Sequence, residues 1–195
     1  MKTTAHPDSS KLKHRLKTIG HTCDVSCNET LYRFVNPTYS KAADIASGAG
    51  ALHSSGRWHT KGAARLSYTA LTPETALAEA QAHVRYYALP PSKALPRTLV
   101  ALKFKARRVL DLRDGKVRRI LHLSEDTIRH LDWRAENQSG QESITQAWGK
   151  AFADAGFEAV IVPSAADSSG ANVLVFPENL LPGSQFEVDQ EVISP

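Results

Sequence analysis

The stretch SITQAWGKAFADAGFEAVIV (residues 143–162) predicts a helix that leads directly into a strand. Its first part carries an apolar stripe at helical spacing, formed by Ile144, Ala147, Trp148, Ala151, Phe152 and Ala155. Such a stripe is typical of a helix that packs one face against a core. Gly156 favours the end of the helix, because glycine readily adopts the left-handed conformation of a C-terminal cap. Residues 157–162 are mostly apolar and predict a buried strand.

Other apolar segments predict further strands. Residues 98–110 alternate between apolar and basic side chains, as expected of a strand with one buried face. The buried face would carry Val100, Leu102, Phe104 and Ala106, and the solvated face Lys103, Lys105 and Arg107. Residues 31–35, 64–69 and 173–176 are shorter apolar runs that also predict strands.

Capping signals predict two more helices. Thr72 is a suitable N-cap, and the Pro-Glu pair after it suits the first helical turn. The expected apolar stripe of this helix consists of Leu77, Ala80, Val84 and Tyr87. Ser124 predicts the cap of another helix, with Leu123 and Ile128 placed to form a hydrophobic staple.

Together these elements predict an α+β fold, a single compact domain with a central mixed β-sheet flanked by helices. Residues 1–30 are expected to form a polar N-terminal arm of irregular structure, and residues 31–195 the domain itself. No apolar run approaches the roughly 20 residues of a membrane span. No apolar signal segment is visible near the N-terminus. We therefore expect a cytoplasmic protein.

The net charge of +4 is unevenly distributed along the 195 residues. Residues 97–119 hold nine basic and two acidic residues, whereas residues 120–195 hold three basic and twelve acidic ones. A basic segment suits an anionic ligand, whether a nucleotide or a nucleic acid. It is also compatible with a solvated surface or an acidic partner, so composition leaves these possibilities open.

Motifs of several enzyme classes are absent. The Gly-rich residues 47–62 predict a loop able to approach a ligand, but they match neither a dinucleotide-binding fingerprint nor a P-loop. Zinc-protease and nucleophile-elbow motifs are missing as well. Cys23 and Cys27 make a zinc site conceivable, yet no second ligand pair follows at the usual distance. We therefore expect two reduced thiols and no bound metal.

Several short motifs occur in a characteristic order. They are Tyr32-Arg33-Phe34, Gly56-Arg57-Trp58, Leu66-Ser67-Tyr68 with Thr75-Ala76-Leu77-Ala78-Glu79, and Val162-Pro163-Ser164-Ala165 with Gly170-Ala171-Asn172-Val173-Leu174-Val175-Phe176-Pro177. In this order they resemble the RES domain, the toxin half of Xre–RES toxin–antitoxin pairs. The resemblance covers roughly residues 31–181. His59 departs from it, since the family often has Asn there.

The resemblance implies a fold similar to ADP-ribosyltransferases and a toxin that cleaves the nicotinamide–ribose bond of NAD+. A glycohydrolase or phosphorylase would deplete NAD+ and arrest growth, and an ADP-ribosyltransferase acting on a host protein is the alternative. The resemblance further implies a cognate Xre-like antitoxin with a helix-turn-helix region that occludes the active site, and no direct contact with nucleic acid or membrane. Ile45 and Leu52 are expected to meet this antitoxin. The residues alone leave open a nucleic-acid-binding or nuclease toxin that uses the basic residues 97–119.

The resemblance also implies a set of site residues. The catalytic residues would be Glu79, Arg57 and Ser164, and the residues contacting NAD+ would be Arg33, Arg57, Tyr68, Glu79, Ser164 and Asn172. Both arginines would anchor the pyrophosphate, because guanidinium groups pair with phosphate oxygens in a bidentate way. Glu79 would stabilise positive charge on the ribose, and Ser164 would orient nicotinamide or the ribose.

Each of these residues also has a simpler structural interpretation. Arg33 suits a surface salt bridge on a strand. Tyr68 is either an aromatic residue of the core or a residue that stacks on nicotinamide. Glu79 lies off the predicted apolar stripe, so periodicity alone makes it a solvated helix residue. Ser164 and Asn172 are both common turn residues.

Overall fold

The structure, a computed structural model, describes residues 3–37, 41–94 and 97–189. The helices are α1 (Ser9–Ile19), α2 (Ala42–Ala46), α3 (Pro73–Tyr86), α4 (Gly115–Leu121), α5 (Glu125–His130), α6 (Trp133–Gln138) and α7 (Ile144–Asp154). The strands are β1 (Asp24–Val35), β2 (Ser67–Ala70), β3 (Thr98–Asp111), β4 (Ala159–Pro163), β5 (Ala171–Val175) and β6 (Gln185–Val188). Short 3-10 turns cover Ala49–Leu52, Pro91–Ala94 and Pro177–Asn179.

The strands form one mixed sheet in the order β1-β2-β5-β4-β3-β6. β1 also pairs with β3, so the sheet closes on itself into a small barrel of β1, β2, β5, β4 and β3, with β6 attached to β3. β3 and β4 run parallel, whereas the other neighbours are antiparallel. The predicted α+β class with a mixed sheet is confirmed.

The longest pairing joins β1 and β3 and follows the alternation of the sequence. Leu31 lies opposite Leu102, and both are fully buried. On β3 the predicted apolar side chains are buried and Lys103, Lys105 and Arg107 are exposed, as predicted. The first predicted strand is longer than expected, because β1 already begins at Asp24.

α7 is the central helix of the core on the outer face of the barrel. Ser143 caps it with a full capping box, and Gly156 follows its end with φ 79°. Trp148 and Phe152 are buried and stacked, with ring centroids 5.4 Å apart. The helix and its apolar face are therefore confirmed.

The irregular arm expected at the N-terminus is wrong in its secondary structure. Residues 9–19 form α1, which buries Leu12, Leu16 and Ile19 in the same core as α7. These residues recur at i, i+4 and i+7, a short helical stripe hidden by polar neighbours. Lys13 adds an ion pair with Asp154 of α7, with Nζ and Oδ2 2.8 Å apart.

The apolar stripe expected on α3 is confirmed at Val84 but is wrong at Leu77 and Tyr87. Leu77 and Tyr87 are exposed, whereas Ala76 and Val84 are buried. Thr72 does cap the helix, because its Oγ1 accepts from the backbone N–H of Thr75 at 3.1 Å. The small side chain of Ala76, and not the larger one of Leu77, faces the strands β1, β2 and β5.

The remaining predictions differ from the structure mainly at element ends. Ser124 caps α5, and Leu123 and Ile128 are both buried, as the staple predicted. β6 and the short helices α2, α4 and α6 were not predicted. Among the described residues, no helix is long and apolar enough to cross a membrane.

A buried carboxylate that the sequence did not reveal joins β3 to the C-terminal segment. Glu158 is fully buried, and its Oε1 accepts from the backbone N–H groups of Arg107 and Arg108, both at 2.9 Å. Its Oε2 accepts from the backbone N–H of Leu181 at 3.0 Å. Burial alone would raise the pKa of Glu158, but the hydrogen bonds to its charged form lower it overall.

We predict that Leu12→Ala lowers the free energy of unfolding by about 2–5 kcal/mol, because it leaves a cavity between α1 and the core. Lys17→Ala, an exposed change on the same helix, should stay within about 0.5 kcal/mol of wild type. Urea titration followed by circular dichroism measures both values. Equal stability of the two variants would show that α1 is not part of the folded core.

We predict that Glu158→Gln destabilises the protein by about 1–3 kcal/mol at pH 7, because an amide offers one acceptor oxygen where the carboxylate offers two. The lowered pKa means that the carboxylate stabilises the fold above its ordinary value of 4.5. That contribution is lost as the pH falls through the folded-state pKa. The difference between the two proteins should therefore shrink below about pH 4.5.

Unfolding free energies from pH 7 to pH 3 test this prediction. Glu29→Gln is the control, since Glu29 is exposed on β1. A Glu158→Gln deficit that stays constant with pH would contradict the prediction.

Candidate active site

The carboxylate of Glu79 is the point where three distant segments meet. Its Oε1 accepts from Ser164 Oγ at 2.5 Å and from Asn172 Nδ2 at 2.6 Å. Glu79 lies on α3, Ser164 follows β4, and Asn172 lies on β5. The structure thus brings together three of the residues that the resemblance singled out.

On α3, Glu79 shares with Thr75 the face that meets β5 and the loop after β4. Thr75 lies one turn before Glu79, is fully buried and donates its hydroxyl to Asp167 Oδ2 at 2.7 Å. Asp167 belongs to the loop that carries Ser164. This bond, together with the bond from Ser164 to Glu79, joins α3 to that loop at two successive turns of the helix.

The orientation of the Ser164 hydroxyl follows from its hydrogen bonds. The backbone N–H groups of Ala166 and Asp167 both donate to Oγ at 3.1 Å. Since these occupy its acceptor positions, the single hydroxyl hydrogen is left for Glu79. The loop therefore fixes Ser164 as a donor to the carboxylate.

Arg129 of α5 holds the same loop from the other side. Its Nη1 donates to the carbonyl of Ser164 and, at 3.2 Å, to that of Asp167. Glu125 pairs with Arg129 through Oε1 and with Arg118 through Oε2, both at 2.9 Å. None of these three residues was predicted to matter, because the sequence gives no sign that α5 lies beside residues 164–167.

The Gly56-Arg57-Trp58-His59 turn forms another wall of the site. The Tyr68 hydroxyl accepts from the backbone N–H of Trp58 at 2.9 Å and lies 2.8 Å from His59 Nδ1. His59 Nε2 lies 2.9 Å from the carbonyl of Ser54, which can only accept. Nε2 therefore carries the proton, and Tyr68 donates to Nδ1. Burial lowers the pKa of His59, which agrees with this neutral form.

α7 supports the same turn. Gly149 lies so close to Trp58 that a Cβ there would be 1.7 Å from its carbonyl oxygen. The buried Gln146 donates to the carbonyls of Gly56 at 2.9 Å and His59 at 3.3 Å. A glycine and a buried glutamine on an otherwise apolar helix face were the available signals for this contact.

Arg57 and Arg33 are both held in place by carbonyl groups. Arg57 Nη1 donates to Leu131 O at 2.8 Å, and Arg33 Nη1 donates to Ile45 O at 3.1 Å and Ser67 Oγ at 3.0 Å. Among the described residues neither guanidinium forms an ion pair. Burial lowers the pKa of both, and the charge of Glu79 opposes this shift at Arg57.

Glu79 lies where two pockets meet. A small pocket of about 260 Å³ is lined by Arg33, Tyr68 and Asn172, among others. A larger cleft of about 1130 Å³ is lined by Arg57, together with side chains from α3 and α6. Glu79 and Tyr68 line both. Burial raises the pKa of Tyr68 well above its ordinary value, so its hydroxyl stays protonated.

No metal site accompanies these residues in the described part of the chain. No group of three or more His, Cys, Asp or Glu side chains is placed to hold an ion there. Cys23 and Cys27 are free thiols, and burial raises the pKa of Cys27 to about 11.

Comparison with known protein families matches residues 30–192 to the RES domain. The chain belongs to the RES domain family. The match begins inside β1, so α1 lies outside the matched RES domain although it packs into its core.

A solved structure supports the same fold. The chain is similar to the toxin of the Mycobacterium tuberculosis MbcT–MbcA toxin–antitoxin complex, with a TM-score of 0.70 and 25% sequence identity. The alignment covers 94% of this chain and 91% of that one. No curated protein matches the chain.

We predict that Arg129→Met loosens the Ser164 loop of this RES domain, because two loop carbonyls lose a charged donor. The backbone amides of Ala166 and Asp167 should exchange faster with solvent, and the free energy of unfolding should fall by about 1–3 kcal/mol. Hydrogen exchange followed by NMR measures the first effect. Arg119→Met, an exposed change on α4, is the control, and equal exchange in both variants would contradict the prediction.

Proposed function

We propose that this RES domain is the toxin of a type II toxin–antitoxin system and that it cleaves the nicotinamide–ribose bond of NAD+ in the cytoplasm. The observation that carries the proposal is the position of the Glu79 carboxylate, fixed by two donors at the junction of two pockets. Membership of the RES family and the similarity to the MbcT toxin support it.

The chemistry requires a negative charge beside the bond that breaks. Cleavage moves the bonding electrons to the pyridinium nitrogen, which releases neutral nicotinamide and leaves positive charge on the ribose. A carboxylate held by Ser164 and Asn172 needs no reorganisation to stabilise that charge. An oxygen of the acceptor then bonds to the anomeric carbon and loses its proton.

In this proposal each of the two pockets binds a different part of the dinucleotide. We place nicotinamide in the small pocket with Arg33 and Tyr68, and the pyrophosphate in the larger cleft with Arg57. Arg33 and Arg57 line different pockets, so of these two arginines the proposal gives the phosphate role to Arg57 only. The ring of Tyr68 lines both pockets and is available to stack on nicotinamide.

The acceptor is water or phosphate in our proposal, with ADP-ribosyl transfer to a host protein as the alternative. All three acceptors would reach the anomeric carbon through the larger cleft. Assays with and without phosphate and cell extract distinguish them.

A nucleic-acid or nuclease function gains no support from the basic strand. Lys103 lies opposite Glu187 of β6 and pairs with Asp189 at 3.2 Å. Arg107 donates to the carbonyl of Pro182 at 2.7 Å. The acidic C-terminal segment therefore lies beside the basic side chains of β3 and lowers their net charge.

An Xre-like antitoxin with a helix-turn-helix region is the partner we propose, covering the cleft. Ile45, which was expected to contact it, is buried with 3% exposed surface. The exposed large apolar side chains that line the cleft are instead those of Tyr86 and Tyr87. Such a patch suits an apolar segment of a partner protein.

We predict that Glu79→Gln lowers the rate of NAD+ cleavage by about a hundred-fold or more, because the charge that stabilises the transition state is lost. Arg57→Ala should lower it as well by weakening phosphate binding. Release of free nicotinamide from NAD+ by the purified protein is the measurement. Glu74→Gln, an exposed change on the same helix, should keep wild-type activity.

A second set of variants distinguishes NAD+ cleavage from a nucleic-acid or nuclease function. Reversing the charge of Lys103, Lys105 and Arg107 together should leave NAD+ cleavage intact. If that triple variant loses toxicity while Glu79→Gln keeps it, the nucleic-acid alternative is correct. If wild type consumes no NAD+ under any condition, the proposed activity is wrong.

A further inference from the structure

We propose that the ends of α3 and α6 form a binding site for the adenine nucleotide half of the substrate, in which the purine stacks on an aromatic wall. The inference rests on the proposed function for its biological setting. The site itself is defined by Tyr86, Trp133 and Arg134, which line the larger cleft. None of these residues was singled out by the sequence.

Contacts among its own side chains hold the wall together before any ligand binds. The guanidinium of Arg134 lies over the rings of both Tyr86 and Trp133, with its carbon 4.5 Å from each centroid. The Tyr86 hydroxyl donates to the Asp132 carboxylate, at 2.9 Å to Oδ2. Asp132 in turn caps α6 by accepting from the backbone N–H groups of Arg134 and Ala135 at 3.1 Å. A preformed wall binds a flat base with little loss of conformational entropy.

The exposure of the aromatic side chains indicates a ligand surface and not a core. Tyr86 and its neighbour Tyr87 both line the cleft and are 42% and 47% exposed. Trp58 and Trp148 are almost fully buried, so Trp133 is the one tryptophan of the chain on the cleft. Accessible aromatic faces beside cations are the usual platform for nucleobases.

The charges around the wall suit a diphosphate. Arg57, Arg85 and Arg134 all line the cleft. Burial lowers the pKa of Arg57, and the nearby positive charge of Arg134 lowers it further. An anion between these two guanidinium groups would relieve their repulsion and pair with both.

The arrangement places the parts of the substrate in one order. A purine on the wall, phosphates at the arginines and the ribose at Glu79 would leave nicotinamide for the small pocket. The larger volume of the cleft, about 1130 Å³ against about 260 Å³, agrees with this division. The site should therefore bind ADP without any nicotinamide present.

The experiment compares ADP with inorganic pyrophosphate as ligands for the purified protein. Both carry the diphosphate charge, but only ADP has a base. Isothermal titration measures the affinities, and tryptophan quenching that is lost in Trp133→Phe reports contact of the base with the wall. We expect ADP to bind about 5- to 150-fold more tightly than pyrophosphate, because base–aromatic stacking contributes about 1–3 kcal/mol.

Two variants of one residue test the stacking directly. Tyr86→Ala should weaken ADP binding by about ten-fold and leave pyrophosphate binding unchanged. Tyr86→Phe keeps the ring and removes only the hydroxyl, so it should retain the affinity for ADP. In turnover assays Tyr86→Ala should raise KM for NAD+ more than Tyr86→Phe does.

The outcomes separate the inference from the proposed function. If ADP binds no better than pyrophosphate, or if Tyr86→Ala weakens both equally, the purine site is wrong even where NAD+ is cleaved. If ADP binding follows the prediction but NAD+ is not consumed, the site stands and only the proposed activity fails. Failure of ADP to bind at all overturns the inference.

Discussion

The pairing of β1 with β3 is the constraint on which the rest of the molecule depends. It closes into a barrel the sheet in which β1, β2 and β5 lie side by side. Arg33, Tyr68 and Asn172 come from these three adjacent strands and line one pocket. α3 then packs against the same strands and adds Glu79. Without closure, β1 would lie at a sheet edge.

Hydrogen bonds between segments far apart in the chain also position the site. Ser164 holds Glu79, Thr75 holds Asp167, and Arg129 holds the carbonyls of the loop between them. Each bond fixes the geometry that the next one needs, so the carboxylate is positioned by a connected network. Hydrogen bonds also position the aromatic wall, since the Asp132 carboxylate both caps α6 and accepts from the Tyr86 hydroxyl.

Much of the fold was predictable because its strongest elements carry local signals. The stripe of α7, the alternation of β3 and the caps at Thr72 and Ser124 each act within a few residues. The predictions of the weaker elements failed for physical reasons. α1 has three apolar residues among eight polar ones, and β6 is short and half-exposed, so tertiary contacts rather than propensity stabilise them. α3 buries the small Ala76, which no hydrophobicity pattern favours over Leu77.

By itself the sequence determined the α+β class, the positions of the main helices and strands, and the motifs that identify a RES domain. Those features depend on side-chain periodicity and on residues close together in the chain. Only the tertiary structure decided that Glu79 faces inward, that Ser164 and Asn172 donate to it, and that Tyr86 meets Arg134. These contacts join residues separated by tens of positions, and their geometry depends on barrel closure and helix packing, which local sequence does not encode.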